Sequence, residues 1–253
     1  MNPLAPQSLT GKRALVTGSS RGIGADTVRY FAEAGADVVI NYRSKAPRAE
    51  KLAASLSEYG GKVLVQGADL TDAASLQKMA DTVREQLGGL DILVLNASGG
   101  MESGMQEDYA MVLNRDAQVN VLKTFLPLMG EGARVVFVTS HQAHFIRTTP
   151  TMAEYDAVAK SKRAGEDALR ELIPNMTEQG VEFVVVSGDM IEGTITATLL
   201  ERANPGAIES RRQDAGKLYN VSEFAAEVAS AAVDDIPEGH TRLVGDVSGF
   251  TTE

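Results

Sequence analysis

Thr17-Gly18-Ser19-Ser20-Arg21-Gly22-Ile23-Gly24 follows the short apolar run Arg13-Ala14-Leu15-Val16 and leads into a helical pattern from Ile23 to about Ala34, which Gly35 closes. The order is strand, glycine turn, helix. Glycines in such a turn let the chain reverse tightly, let a diphosphate approach main-chain amides with no Cβ in the way, and let helix pack close on strand. Gly18-Ser-Ser20-Arg-Gly22 also satisfies the hydrolase elbow pattern G-x-S-x-G, but an elbow serine comes after several upstream strands, and no strand precedes this one. Plain tight-turn glycines holding no ligand are the remaining alternative. No Gly-Lys pair is followed by Ser or Thr, so a Walker loop is absent.

Outward from that turn the alternation continues. Asp37–Asn41, Lys62–Gln66, Leu90–Asn96, Arg134–Ser140 and Val181–Ser187 read as strands. Ala46–Tyr59 and Ala159–Leu172 read as helices, and Leu76, Met79, Ala80, Val83 and Leu87 recur at helical spacing before Gly88-Gly89. Near-continuous apolar strands joined by helices predict an α/β chain, a doubly wound parallel sheet with helices on both faces. No linker or repeat interrupts it, so residues 1–253 are read as one domain. The first ten residues, with Pro3 and Pro6, are expected to be flexible. Residues 189–220 lie after a strand end, where open sheets bind ligands, and read either as a substrate-covering segment or as two ordinary surface helices.

Composition narrows the function classes. The 253 residues carry 24 Lys plus Arg against 34 Asp plus Glu, a net charge of −10, with no offsetting basic run. Nucleic-acid and membrane-surface partners call for the opposite sign. The chain has no cysteine, which removes disulfides, thiolate metal sites and thiol nucleophiles. No apolar stretch approaches the roughly 18 residues of a membrane span, and a cytoplasmic location is expected.

The glycine turn has the spacing of the short-chain dehydrogenase/reductase family rather than the tighter G-x-G-x-x-G, and the resemblance runs from about Leu9 to Gly245. Asp69-Leu70 resembles the family's adenine-pocket pair. Asp91-Ile-Leu-Val-Leu-Asn96-Ala97-Ser98-Gly99 resembles its D-x-L-V-N-N-A-G segment, with Leu95 in place of the first Asn. Asn114 matches the family's active-site Asn, and Ser140 its catalytic Ser. The resemblance implies a Rossmann-like fold, a nicotinamide dinucleotide, and assembly into a homodimer or homotetramer.

Charge argues for the phosphorylated cofactor. A carboxylate at the end of the second strand would repel a 2′-phosphate, and here the chain reads Asn41-Tyr42-Arg43-Ser44, with Arg21 projecting from the glycine turn. Two guanidiniums and a hydroxyl suit a dianion, so NADP(H) is favoured. Gly18, Ser20, Arg21, Gly22, Ile23 and Gly24, then Asn41 to Ser44, Asp69, Leu70, Asn96, Ala97 and Ser98 are its expected contacts.

The catalytic pattern departs from the family. There a Tyr handles the carbonyl proton and a Lys one helical turn later tunes it and grips the ribose. Ser161-Lys162-Arg163-Ala164 resembles the family's S-K-x-A, which favours Lys162 over Lys160 as that lysine, but one turn earlier stands Val158. Between Ser140 and Lys162 the chain is a few residues longer than is usual, within His141–Tyr155. Tyr155 is one candidate proton donor, with its hydroxyl swung into place. His141 and His144 are others, although loop histidines bonded locally are the blander reading. Loss of chemistry is the third outcome. As H-x-x-H the pair lacks a metal partner pattern, and no metal is expected.

After the sixth strand the family's Pro-Gly is replaced by Ser187-Gly188-Asp189-Met190-Ile191-Glu192-Gly193-Thr194. Ile191 and Thr194 are the counterparts of the nicotinamide-holding positions. Asp189 and Glu192 are expected either to face substrate or to cap the next helix. The whole reads as an NADP(H)-dependent oxidoreductase acting on a small carbonyl or alcohol, with Asn114, Ser140, Tyr155 and Lys162 at its centre. The alternative is a catalytically impaired relative that binds NADP(H) as a sensor or partner subunit.

Overall fold

In the computed structural model, which describes residues 1–251 apart from 103, 105 and 107, every run read as a strand joins one parallel sheet. The strands are β1 (Arg13–Val16), β2 (Asp37–Tyr42), β3 (Val63–Gly67), β4 (Leu90–Leu95), β5 (Met129–Ser140), β6 (Glu182–Gly188) and β7 (Thr241–Val244), in spatial order β3-β2-β1-β4-β5-β6-β7. The connections reverse direction between β1 and β4. The carboxyl ends of those two strands therefore open a crevice with no crossover above it.

Side chains alternate between two apolar layers, as the pleat requires. Ala14, Val16, Val38 and Ile40 pack beneath α1 (Gly22–Glu33), α2 (Ala46–Leu56) and α11 (Val221–Ala231), where Val28, Phe31, Phe224 and Val228 meet them. Leu15, Val39, Leu93 and Val135 face the other layer, with Met79 and Val83 of α3 (Ala73–Leu87) and Val121 and Phe125 of α5 (Ala117–Phe125). Asp72 caps α3 by accepting from the amides of Ala74 and Ser75, and Gly88, at φ +77°, ends it in the left-handed conformation.

The remaining helices are α4 (Tyr109–Met111), which runs through a π-helical turn at Val112–Asp116 into α5, then α6 (His141–His144), α7 (Asp156–Arg170), α8 (Ile173–Glu178), α9 (Ile195–Ala203) and α10 (Ala207–Ala215). The helix read as Ala46–Tyr59 ends at Leu56 with a 3₁₀ turn after it, and the one read as Ala159–Leu172 begins earlier, at Asp156. β5 also begins earlier than the sequence suggests, at Met129, with a register irregularity against β4 between Leu90 and Ile92. β7 has no counterpart among the strands read from the sequence. It is four residues of mixed polarity on a sheet edge, with Leu243 exposed, so it lacks the doubly buried signature of the others.

The first ten residues lie against α1. Leu4 and Leu9 are buried, Asn2 donates to the Tyr30 carbonyl, and the Leu9 amide donates to the Ala34 carbonyl. Among the described residues no helix is long and apolar enough to cross a membrane, and no three potential metal ligands cluster.

Candidate active site

Thr17 ties the two strand ends that frame the crevice. Its hydroxyl donates to the Val94 carbonyl and accepts from the amides of Asn96 and Ala97, while Asn96 Nδ2 donates to the Thr17 carbonyl. Gly18, at φ +62°, and Gly22, at φ +59°, carry the chain from β1 into α1, and a Cβ on Gly22 would meet nothing within 4 Å. Gly24 serves packing instead, since a Cβ there would lie 2.7 Å from Asn96 Nδ2 and 2.8 Å from Ser19 Cα. The first turn of α1 has neither a side-chain cap nor an acidic residue, so its leading amides are left to a ligand.

Above this turn lies a cavity of about 630 Å³. It is lined by Gly18, Ser20, Arg21, Gly22 and Ile23 from the turn, by Asn41 to Ser44 from the end of β2, and by Asp69, Leu70, Asn96, Ala97 and Ser98. Ser140, Tyr155, Lys162, Ile191 and Thr194 line it as well. Asn41 is almost wholly buried, and its carboxamide is engaged by the Gly18 amide and the carbonyls of Gln66 and Ala68, which fixes the turn rather than leaving a free donor.

The β2 end is cationic. Arg43 lies over the Tyr109 ring, 5.8 Å from its centroid, and donates to its hydroxyl. Lys45 and Arg48 join Arg21 and Arg43 on the lining. Burial pushes the Arg21 pKa down, and the nearby Arg48 guanidinium adds to the shift. Arg48, which the sequence alone does not assign to the cavity, lies in the first turn of α2, where a cation opposes the macrodipole unless an anion is bound nearby.

At the opposite end the hydroxyls of Ser140 and Tyr155 stand 3.2 Å apart. Ser140 is the N-cap of α6 and accepts from the Ala143 amide, at 3.3 Å, which fixes its oxygen, and either hydroxyl can donate across the Tyr155 contact. Tyr155 sits in a 3₁₀ turn, Ala153–Tyr155, immediately before α7. Burial raises its pKa, and the Ser140 contact opposes that rise, so the phenol is protonated at neutral pH. Lys162 is buried, lines the same cavity and has no hydrogen-bond partner among the described residues; burial pushes its pKa down to about 8. Lys160 faces outward and pairs with Asp156.

Neither histidine lines the cavity. His141 is buried, with Nδ1 2.8 Å from Ser187 Oγ and Nε2 3.1 Å from the Val244 carbonyl. The carbonyl can only accept, so Nε2 carries the proton; burial lowers the pKa to about 4 and keeps the ring neutral. His144 bonds the buried Glu166 carboxylate at 2.9 Å, beside Arg163 and Arg170. Asn114, expected at the reacting centre, braces it from behind. Its carboxamide exchanges hydrogen bonds with the Gly99 amide and carbonyl and donates to Ser161 Oγ. α7 approaches so closely there that a Cβ on Gly165 would lie 2.1 Å from the Asn114 carbonyl.

The two unexpected carboxylates neither face substrate freely nor cap α9, whose cap is Thr194, accepting from Ala197 N. Asp189 lines the cavity but pairs with Arg211 at 2.8 Å, and Glu192 pairs with Arg212. Both arginines belong to α10. Arg211 also lies 4.7 Å from the Phe250 ring centroid, and that ring stacks on Phe145. Residues 189–220 therefore form two helices, of which α9 lines the cavity through Ile195, Ala197 and Leu200.

The sequence model described as short chain dehydrogenase matches residues 12–204. A short chain dehydrogenase/reductase of Aspergillus novofumigatus, nsrJ, is 30% identical over 200 residues, covering 77% of this chain and 73% of its own. Among solved structures, a short chain dehydrogenase from Burkholderia cenocepacia in complex with NADP superposes with a TM-score of 0.77 at 28% identity, covering 94% of this chain and 97% of its own. The angucycline C-6 ketoreductase LanV with bound NADP gives 0.74 at 27% identity, covering 92% of each chain.

Proposed function

Because this chain belongs to the short chain dehydrogenase family, we propose that it is an NADP(H)-dependent ketoreductase, moving a hydride between a nicotinamide and a carbonyl or alcohol carbon. The observation that carries the reading is the Ser140–Tyr155 hydroxyl pair, which shares one cavity with the unpartnered Lys162 ammonium and the uncapped amides of α1.

Those features fit a phosphorylated dinucleotide. The leading amides of α1 would hold its diphosphate, and Arg21, Arg43 and Arg48, with Ser44, the additional phosphate. Asp69 and Leu70 would border the adenine, Ile191 and Thr194 the nicotinamide, and Lys162 would donate to the adjoining ribose hydroxyls. The bound nicotinamide supplies or accepts the hydride. With substrate bound, Ser140 would donate to the substrate oxygen and polarise the carbonyl. Tyr155, held protonated, gives its proton to the oxygen as negative charge develops there, and Ser140 keeps the phenol aligned. NADP-bound relatives and the arginine cluster support the phosphorylated form. Association into homodimers or homotetramers is part of the same reading, and light scattering would check it.

Purified protein should consume NADPH, followed by the absorbance of reduced nicotinamide, with at least one member of a panel of ketones and quinones. Tight NADPH binding with no consumption across the panel would overturn this and favour a sensor or partner subunit, a reading that the seven-residue step from Tyr155 to Lys162 keeps in view. Cofactor choice has its own expected result. Replacing Arg21 and Arg43 together by Ala should raise the KM for NADPH about 30-fold, corresponding to roughly 2 kcal/mol of lost charge-assisted bonding. The KM for NADH should scarcely move, and equal effects on both cofactors would show that the arginines do not read the phosphate.

A further inference from the structure

Gln142 stands two positions beyond Ser140, in α6, and lines the same cavity as Ser140 and Tyr155. Its Oε1 accepts from the Met152 amide at 3.3 Å and from the Thr151 hydroxyl. An amide N–H can only donate, so the atom it meets is the carboxamide oxygen, and this fixes which way the side chain is turned. Nε2 is left with no protein partner among the described residues. The segment that pins the oxygen, Thr151 and Met152, lies within the stretch between Ser140 and Tyr155, the same stretch that delivers the tyrosine hydroxyl to Ser140.

We propose that Gln142 Nε2 is a specificity-determining donor that holds a second oxygen of the substrate, distinct from the one undergoing reduction. Two adjacent steps of the chain bring Ser140 and Gln142 Cα atoms to within about 7 Å of each other. Two oxygens a few ångströms apart on one small molecule fit this placement, so the substrate class is a ketone with a further carbonyl or hydroxyl oxygen on the next carbon but one, as in a β-keto ester. Met190, Ile195 and Leu200 give the same cavity an apolar part, and Asp189, one of its carboxylates, is engaged by Arg211. A simple ketone would leave the Gln142 donor unpaired. A site built around a hydrogen bond discriminates in this way against analogues lacking the partner atom.

This inference rests on the ketoreductase reading, and the test separates the two. Ethyl acetoacetate and methyl pentyl ketone have chains of the same length and differ in the ester oxygens. Binding to the NADPH-loaded protein is read from the quench of reduced-nicotinamide fluorescence, and turnover from absorbance. The parent should favour ethyl acetoacetate about tenfold in both readouts. In Gln142→Leu that ratio should fall to near one, and in Gln142→Glu, which keeps the shape but offers no donor, it should fall likewise. Equal affinity for the two ketones in the parent, or a preference that survives both substitutions, overturns the proposal. A binding preference that both substitutions abolish, with neither ketone nor any member of the wider panel consumed, supports Gln142 and overturns the reductase reading. Consumption of both ketones at one rate and affinity does the reverse, and failure of the parent to bind either overturns the Gln142 proposal and leaves the reductase reading to the panel.

Discussion

Tyr155→Phe lowers kcat for ketone reduction by about 10²- to 10⁴-fold, the range that general acid catalysis by a positioned side chain contributes, and leaves NADPH affinity close to that of the parent. The substitution removes one hydroxyl from a buried ring whose body packs with Val158, Ala159 and Met190, so the fold has little reason to change. What disappears is the proton donor 3.2 Å from Ser140 Oγ. Ser140→Ala should cost less, about 10²-fold, because it removes a polarising donor and leaves the acid in place. The comparison is informative because His141 and His144 are turned to Ser187, Val244 and Glu166. If Tyr155→Phe retains full turnover, the proton comes from elsewhere and the assignment of the hydroxyl pair fails.

Lys162→Met in the cofactor-free protein should raise stability at pH 7 by about 3 kcal/mol, the equivalent of lowering a lysine from its ordinary pKa of 10.5 to about 8. The sign follows from proton counting. Between pH 8 and pH 10.5 the unfolded lysine holds a proton that the folded one has lost, so the parent gains stability as pH rises through that window. Below pH 8 it carries the whole cost of a charge buried without a partner. The variant has no such group, so its advantage, measured by urea unfolding, should be largest at neutral pH and should fade as pH 10.5 is approached. NADPH should reverse the order at pH 7, since only the parent has an ammonium to offer the ribose. Parallel pH profiles for parent and variant would show that Lys162 is solvated and that its unpaired state does not drive cofactor binding.

The layout of the sheet was legible because β1 to β6 are nearly all apolar and each is followed by a glycine or a polar turn. That pattern arises only when both faces of a strand are covered. β7 was not, because Thr241-Arg242-Leu243-Val244 is short and of mixed polarity with Leu243 exposed, whereas β3, the other edge strand, keeps the apolar run Val63-Leu64-Val65. The glycine turn and the cationic end of the cavity were legible because their chemistry lies in residue type, as with Arg21 and Arg43. Orientation was the part that could not be read. Nothing in the spelling of His141-Gln-Ala-His144 tells which side chains turn inward, and the structure turns Gln142 to the cavity and both histidines away. Asp189 and Glu192 stand out in the sequence, but their partners lie about twenty positions ahead on α10, a distance over which sequence spacing carries no geometry.

Those two carboxylates have neighbouring arginines as partners, and one of the arginines is also roofed by Phe250. A single short helix is thus riveted at two points to the rim of the pocket and held under the end of the chain. The inner pair, Arg211 with Asp189, is the better shielded from water, so it and the aromatic ring above it do more than the outer pair to keep that helix in place.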